Sequence, residues 1–171
     1  MKKIYIASLV ALCLPALFLS CENENDTQKP VINLVDPAEG EILKIGGDVH
    51  LELELSDNEG LKSYKIDMHD NISNPHTHSS AAARASVSDS VLFSKTWDEA
   101  YFISKGESPI EGLKNKHIHH HLIEIPAQVN GKPIRQGSYH FIVYCTDVNG
   151  NESFVSHTVQ LREDAPEHDH D

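Results

Sequence analysis

Histidine is the residue type that stands out in this sequence: 12 of its 171 residues are His, against 14 Lys and Arg together. Neutral imidazole is a common ligand for zinc, copper and nickel. Residues two apart in a β-strand share a face, so an H-x-H pair presents two imidazoles to one ion. The histidines that this spacing and the strand pairing select as metal ligands are His69, His76, His78, His119, His121 and His140.

The ligand types indicate which metal to expect. Zinc is the first choice, and Cu(II) and Ni(II) remain open because imidazole suits them too. Cu(I) is disfavoured, since Cys145 and Met68 are the only soft ligands in the body of the chain. The segments 57–60 and 147–151 carry carboxylates and amides that suit a shared Ca²⁺. Turn chemistry explains both without an ion, so the sequence does not favour calcium.

Apolar and polar residues alternate along several segments, which predicts β-strands with one buried face. The clearest segments are Val49–Leu55, Leu61–His69 and Tyr139–Thr146, and weaker ones are Val31–Val35, Val91–Phe93, His119–Ile125 and Phe154–Leu161. Glycine-containing turns end two of these strands. Only Thr96–Ser104 is predicted to form a helix, and it is short. The pattern predicts an all-β sandwich of antiparallel strands.

The N-terminus reads as a lipoprotein signal. Lys2 and Lys3 precede an apolar run that ends in Leu-Phe-Leu-Ser-Cys, which resembles a bacterial lipobox with Cys21 as the lipidated residue. An ordinary signal peptide is the alternative. The acidic stretch 22–26 resembles the export signal that sends lipoproteins of Bacteroides-like bacteria to the cell surface, although a solvated tether explains it too. Residues 1–20 are then a signal peptide, 21–29 an acidic tether, 30–162 the domain and 163–171 an acidic tail.

The segment Gly137-Ser138-Tyr139-His140-Phe141, leading to 147–151, resembles the last hairpin of bacterial immunoglobulin-like domains, with Tyr139 in the place of a tyrosine corner. Together with the lipobox and the histidines, it resembles an uncharacterised family of lipoproteins of Bacteroides-like bacteria, known only as a domain of unknown function. The resemblance implies an immunoglobulin-like antiparallel β-sandwich. In that order the strands are A (Val31–Val35), B (Val49–Leu55), C (Leu61–His69), E (His119–Ile125), F (Tyr139–Thr146) and G (Val155–Leu161), with a long irregular C–E connection over 70–116.

Strands C and F are neighbours in this fold, which predicts that His69 and His140 lie side by side on the solvent face. His76 and His78 follow after a turn-rich segment that is short enough to fold back over this pair. His119 and His121 fit less well, because alternation puts them on the core face and strand E belongs to the other sheet. A bulge would turn them outward, as would an early part of this segment that lies outside the sandwich, and two separate sites remain open.

Charge and cysteine content limit the partners. The formal charge of −12 argues against a nucleic-acid partner. Cys13 leaves with the signal peptide and Cys21 carries lipid, so Cys145 has no disulfide partner and is expected to be a small buried residue. The expected partners are the membrane, through the lipid anchor, and an outer-membrane transporter or surface protein.

The sequence therefore predicts a non-enzymatic outer-membrane lipoprotein, facing the cell surface or the periplasm, that binds zinc or a similar divalent metal. The metal would be captured, buffered or used to stabilise the long loop. The alternative is an adhesion or spacer module that binds glycan or protein without metal. A metal-dependent hydrolase is a third class, with Glu124 as a general base that nothing in the sequence places beside the histidines.

Overall fold

The computed structural model describes residues 26–71 and 89–166. Within them the chain forms strands β1 (Val31–Asp36), β2 (Ile42–Lys44), β3 (Asp48–Ser56), β4 (Leu61–Asp70) and β5 (Ser94–Asp98), helix α1 (Glu99–Ser104), and strands β6 (Asn115–Glu124), β7 (Gln128–Val129), β8 (Lys132–Pro133), β9 (Gly137–Asp147) and β10 (Glu152–Arg162). No helix in these two ranges is long and apolar enough to cross a membrane. The predicted signal peptide, Cys21, His76, His78 and the end of the acidic tail lie outside the described residues.

The strands form two main sheets, in the orders β1-β3-β6 and β2-β10-β9-β4-β5, and β7 and β8 add a small hairpin. Except for the parallel β2–β10 pair, neighbouring strands of the two main sheets run antiparallel. The predicted all-β sandwich is confirmed. The order β1-β3-β6 matches the predicted A, B and E strands, and β10-β9-β4 matches G, F and C.

Alternation along β4 and β9 places one face of each strand in the core. The inward side chains are Tyr64, Ile66 and Met68 in β4 and Tyr139, Phe141, Val143 and Cys145 in β9. These are the residues that the period-two pattern predicts to be buried. Burial also raises the pKa of the Cys145 thiol to about 12, so this cysteine is the small apolar core residue that the sequence suggests.

Tyr139 forms the predicted tyrosine corner. Its side chain is 1% exposed, and its hydroxyl donates a 2.8 Å hydrogen bond to the backbone carbonyl of Arg135, four residues earlier. The backbone N–H of Phe93 donates to the same hydroxyl oxygen at 3.4 Å. The corner therefore ties the start of β9 to the chain segment that enters β5.

The described part of the connection between β4 and β6 is more regular than the sequence suggests. Strand β5 pairs antiparallel with β4, and helix α1 follows it directly. The sequence predicts a helix over Thr96–Ser104, but the helix begins only at Glu99, because the Asp98 side chain caps it by accepting a 2.8 Å hydrogen bond from the backbone N–H of Tyr101. Helix α1 buries Phe102 completely. That ring contacts the strand that carries the histidine run.

Candidate metal centre

Three histidines from β3 and β6 meet on the outer face of the three-stranded sheet. The two strands are antiparallel, and their register shifts between Val49 and Leu51. Two residues of β6, His121 and Leu122, therefore lie opposite the single residue His50. This arrangement is a β-bulge, in which one strand carries an extra residue and its side-chain alternation changes phase.

The bulge resolves the conflict that alternation creates along β6. Ile123 and Ile125 are buried in the core, at 0% and 1% exposed. Without a bulge, His119 and His121 would share their face. With the extra residue, His119 is exposed and His121 half-buried, while His120 between them is buried. The bulge that the sequence left open as an alternative is present.

The imidazoles of His50, His119 and His121 lie close enough to share a cation. The His50 ring centroid is 4.8 Å from each of the other two, edge-on to His119 and stacked on His121 with an interplanar angle of 7°. One ring nitrogen from each residue lies within 4.8 Å of the other two. In a tetrahedral zinc site with bonds of 2.0–2.1 Å, ligand nitrogens are about 3.4 Å apart. To reach that spacing the three side chains would have to move closer together, on a backbone that the strand pairing holds in place.

Two of the three imidazoles face a carboxylate through Nδ1. His121 Nδ1 is 2.9 Å from Asp48 Oδ2, which is a hydrogen-bond distance, and His50 Nδ1 is 3.7 Å from Asp36 Oδ2. When Nδ1 donates to a carboxylate, the lone pair of the neutral ring lies on Nε2, where it can bind a metal. Metal-binding histidines in proteins are commonly oriented in this way.

The surroundings of the cluster are acidic. Besides Asp36 and Asp48, the same face carries Glu52, which lies directly opposite His119 in the strand register. His117 contacts Glu52 at 3.3 Å, and its ring centroid lies 6.3 Å from that of His119. His117 therefore extends the row of imidazoles without joining the group of three. Nearby carboxylates favour a bound cation over an empty site.

His120 has a structural role that separates it from its neighbours. Its ring stacks on Phe102 with centroids 4.9 Å apart, and it is 7% exposed. Burial lowers its pKa, against a smaller opposing effect of Glu107, so the neutral form is favoured in the core. Its position fixes the rotation of β6 and thereby turns the residues on either side, His119 and His121, towards solvent.

His69 and His140 form a second, smaller group. They are register partners in β4 and β9, as predicted, and their ring centroids lie 5.6 Å apart. His69 Nδ1 is 2.6 Å from Asp67 Oδ2, and the other oxygen of that carboxylate accepts a 2.7 Å hydrogen bond from Thr96 Oγ1. In residues 26–71 and 89–166, no third metal-binding side chain completes this pair in the way that His50 completes the first group.

The structure thus separates the predicted ligands. His119 and His121 lie on the outer face of one sheet, and His69 and His140 lie on the outer face of the other, so the sandwich core stands between the two groups. A single pocket that combines all of them is not formed. The two remaining candidates, His76 and His78, lie outside the described residues.

His50 is the ligand candidate that sequence reasoning missed, because a single histidine on a solvent-facing strand position reads as an ordinary surface residue. The sequence nevertheless contains the information that places His50 in the group. Strands B and E are neighbours in one sheet of an immunoglobulin-like sandwich. The pairing argument that joins His69 to His140 across strands C and F therefore also brings His50 of strand B towards His119 and His121 of strand E.

Comparison with known proteins gives a family but no activity. Residues 19–162 match the family described as "Domain of unknown function (DUF4625)". The chain belongs to this family. No curated protein matches the sequence significantly. The match covers both histidine groups and every described strand, so what the protein does must be argued from the geometry of its side chains.

Proposed function

We propose that this protein binds zinc or a similar divalent transition metal through His50, His119 and His121. The observation that carries the proposal is the convergence of one ring nitrogen from each of the three residues within 4.8 Å. Three imidazoles leave one position of a tetrahedral zinc ion for water or for another molecule. An ion held in this way on an open sheet face is accessible, which suits capture, buffering or transfer of metal better than permanent burial.

We also propose that the metal is bound and not used for catalysis. A hydrolytic zinc site needs a cleft for substrate and an acid or base beside the ion. A cleft of about 460 Å³ is lined by residues of β4, β5, β9, β10 and α1, including Lys65 and Tyr144. It opens on the sheet opposite the three histidines, so it offers their metal no substrate pocket.

The location of the protein is a proposal of its own. We infer from the lipobox that residues 1–20 are removed, that Cys21 carries lipid and that residues 21–29 tether the domain to the outer membrane, facing the cell surface or the periplasm. A transporter or surface protein at the same membrane is the expected recipient of the metal. Replacing Cys21 by serine should release the protein from the membrane fraction and abolish labelling with a fatty-acid analogue. Continued membrane attachment would contradict the anchor.

Calorimetric titration with zinc tests the metal site. We expect one zinc ion to bind the purified, chelator-treated protein, and we expect His119→Ala or His50→Ala to weaken binding at least 100-fold, because each removes one of three ligands. The matched control is His117→Ala, which removes a histidine two residues away on the same strand and should leave the affinity within a factor of three.

A second pair of variants separates the two histidine groups. The double variant His69→Ala/His140→Ala should retain the zinc affinity of the unmodified protein. If this variant loses zinc and His119→Ala does not, the site belongs to the other sheet. If the unmodified protein binds no zinc, the metal proposal is wrong, and an adhesion or spacer module becomes the better interpretation.

A further inference from the structure

A group of three carboxylates, separate from both histidine groups, lies at the end of the sandwich opposite the three histidines. It consists of Asp57, which directly follows β3, Asp147, the last residue of β9, and Asp26, which precedes β1. One carboxylate oxygen from each residue lies within 4.8 Å of the other two. Strand β3 runs from the histidine cluster to this end, which separates His50 from Asp57 by roughly 23 Å at 3.3 Å per residue.

Hydrogen bonds within the turns satisfy only some of the oxygens of these carboxylates. Asp147 accepts from the backbone N–H groups of Asn149 and Asn151 and from the Asn151 side-chain amide, all at 2.7–2.8 Å. Asp57 Oδ1 accepts from the backbone N–H groups of Glu59 and Gly60, two and three residues later. These hydrogen bonds are typical of turns, and they are the reason why the sequence alone does not require an ion at these two segments.

Two other oxygens of this group are buried without a hydrogen-bond donor among the described residues, which indicates a place for a cation. Asp57 Oδ2 and Asp26 Oδ2 are both buried, and no hydrogen-bond donor among residues 26–71 and 89–166 reaches either of them. Asp147 beside them is 0% exposed. Buried carboxylate oxygens normally have a hydrogen bond or a cation, because burial removes the water that would stabilise their charge. The two carboxylates that carry these oxygens converge with a third, that of Asp147, which is fully buried.

No protein cation fills this position. Across the two described ranges, no Lys, Arg or His side chain forms an ion pair with any of the three carboxylates. Lys29 lines a cleft of about 410 Å³ that opens beside Asp57, but it makes no ion pair there. Of the three carboxylates, the one that lines this cleft is Asp57.

We propose that Asp26, Asp57 and Asp147 bind a calcium ion. All the converging atoms are carboxylate oxygens, the ligands that hard cations prefer, and no imidazole or thiol lies among them. Calcium tolerates irregular coordination and accepts six to eight oxygens, whereas magnesium requires a near-ideal octahedron. Water and backbone oxygens would complete the shell around the three carboxylates.

The site would join three parts of the chain. Asp57 belongs to the β3–β4 connection and Asp147 to the β9–β10 hairpin, and these two are already linked by a 2.8 Å hydrogen bond from Asn149 Nδ2 to Glu59 Oε2. Asp26 adds the segment before β1, whose backbone carbonyl accepts a 3.0 Å hydrogen bond from Asn151. Calcium would therefore fix the direction in which the N-terminal segment leaves the domain.

Isothermal titration of the chelator-treated protein with CaCl₂ tests the proposal, with MgCl₂ in a parallel titration. We expect one calcium ion to bind with a dissociation constant of about 10⁻⁴–10⁻³ M, the range of extracellular calcium modules, and magnesium to bind at least tenfold more weakly. Asp26→Asn should weaken calcium binding at least tenfold. This residue precedes the first strand, so its substitution leaves the sandwich folded, which near-ultraviolet circular dichroism would verify.

Two control variants make the outcome specific. Glu54→Gln changes an exposed carboxylate of β3, three residues before Asp57 and outside the group of three, and it should keep the calcium affinity. His119→Ala should also keep it, which separates this site from the proposed zinc site. Hydrogen exchange of residues 26–36 should slow when calcium is added. The absence of calcium binding at millimolar concentration, or an equal loss in Asp26→Asn and Glu54→Gln, would overturn the proposal.

Discussion

Replacing Asp48 by asparagine tests whether the carboxylates around the three histidines help to hold a metal. Asp48 Oδ2 lies 2.9 Å from His121 Nδ1. Asparagine retains an oxygen that can accept from Nδ1–H, so the ring keeps its orientation while the negative charge disappears. The loss in zinc affinity then measures the effect of charge on the basicity of the ligand. Partners of this kind contribute about 10–100-fold to metal affinity.

The exposure of the pair sets where in that range the effect should fall. The side chains of His121 and Asp48 are 33% and 36% exposed, so solvent screens the charge in part. We expect Asp48→Asn to weaken zinc binding about 10–30-fold, which is about 1.4–2 kcal/mol. Asp48→Ala, which also removes the acceptor that orients the ring, should lose about 100-fold. Competition with a fluorescent zinc chelator at constant pH and ionic strength measures these constants.

The matched control is Glu54→Gln, which removes one negative charge from an exposed position on the same strand. Its carboxylate accepts from the Asn33 side chain and does not contact the cluster. We expect less than a threefold change in zinc affinity. If Glu54→Gln weakens binding as much as Asp48→Asn, the effect is the general charge of the face. If Asp48→Asn changes the affinity by less than threefold, the argument from the 2.9 Å contact fails.

Three further predictions concern the scaffold. Phe102→Ala should lower the free energy of unfolding in urea by about 3–5 kcal/mol, because it empties a fully buried position and removes the stack on His120; a loss below about 1 kcal/mol would contradict this. Tyr139→Phe should lower it by about 1–3 kcal/mol, since the partly buried Arg135 carbonyl loses its donor, and an unchanged urea midpoint would show that the corner is not stabilising. Cys145 should resist iodoacetamide at pH 8–9 in the folded protein, because its raised pKa of about 12 keeps the thiol protonated; peptide mapping that finds rapid modification would refute this.

The fold was predictable where alternation and turn chemistry agree. Strands β3, β4 and β9 follow their period-two patterns closely, and Tyr139 marks the start of β9 through a contact that depends on local sequence. Strand β2 has only three residues and β7 and β8 have two each. Such short strands exist because tertiary partners align them, and their sequences carry too few residues for a period to appear.

The candidate site was predictable only in part, for a related reason. The pairing of His69 with His140 follows from the neighbouring positions of two regular strands. The outward position of His119 and His121 depends on one inserted residue in β6, and alternation alone gives the opposite face. The sequence shows that a conflict exists there but not how the backbone resolves it. The inclusion of His50 depends on that same local register.

The bulge in β6 affects whether strands of other molecules can pair with this sheet. Among the described residues, strand β6 is the last strand of its sheet, so one side of its backbone pairs with no described strand of that sheet. Uncharged edges of this kind invite a strand from another molecule to add to them, which leads to aggregation. An inserted residue breaks the even spacing that an incoming strand would need. The bulge that turns His119 and His121 outward therefore also hinders strand pairing between molecules at this edge.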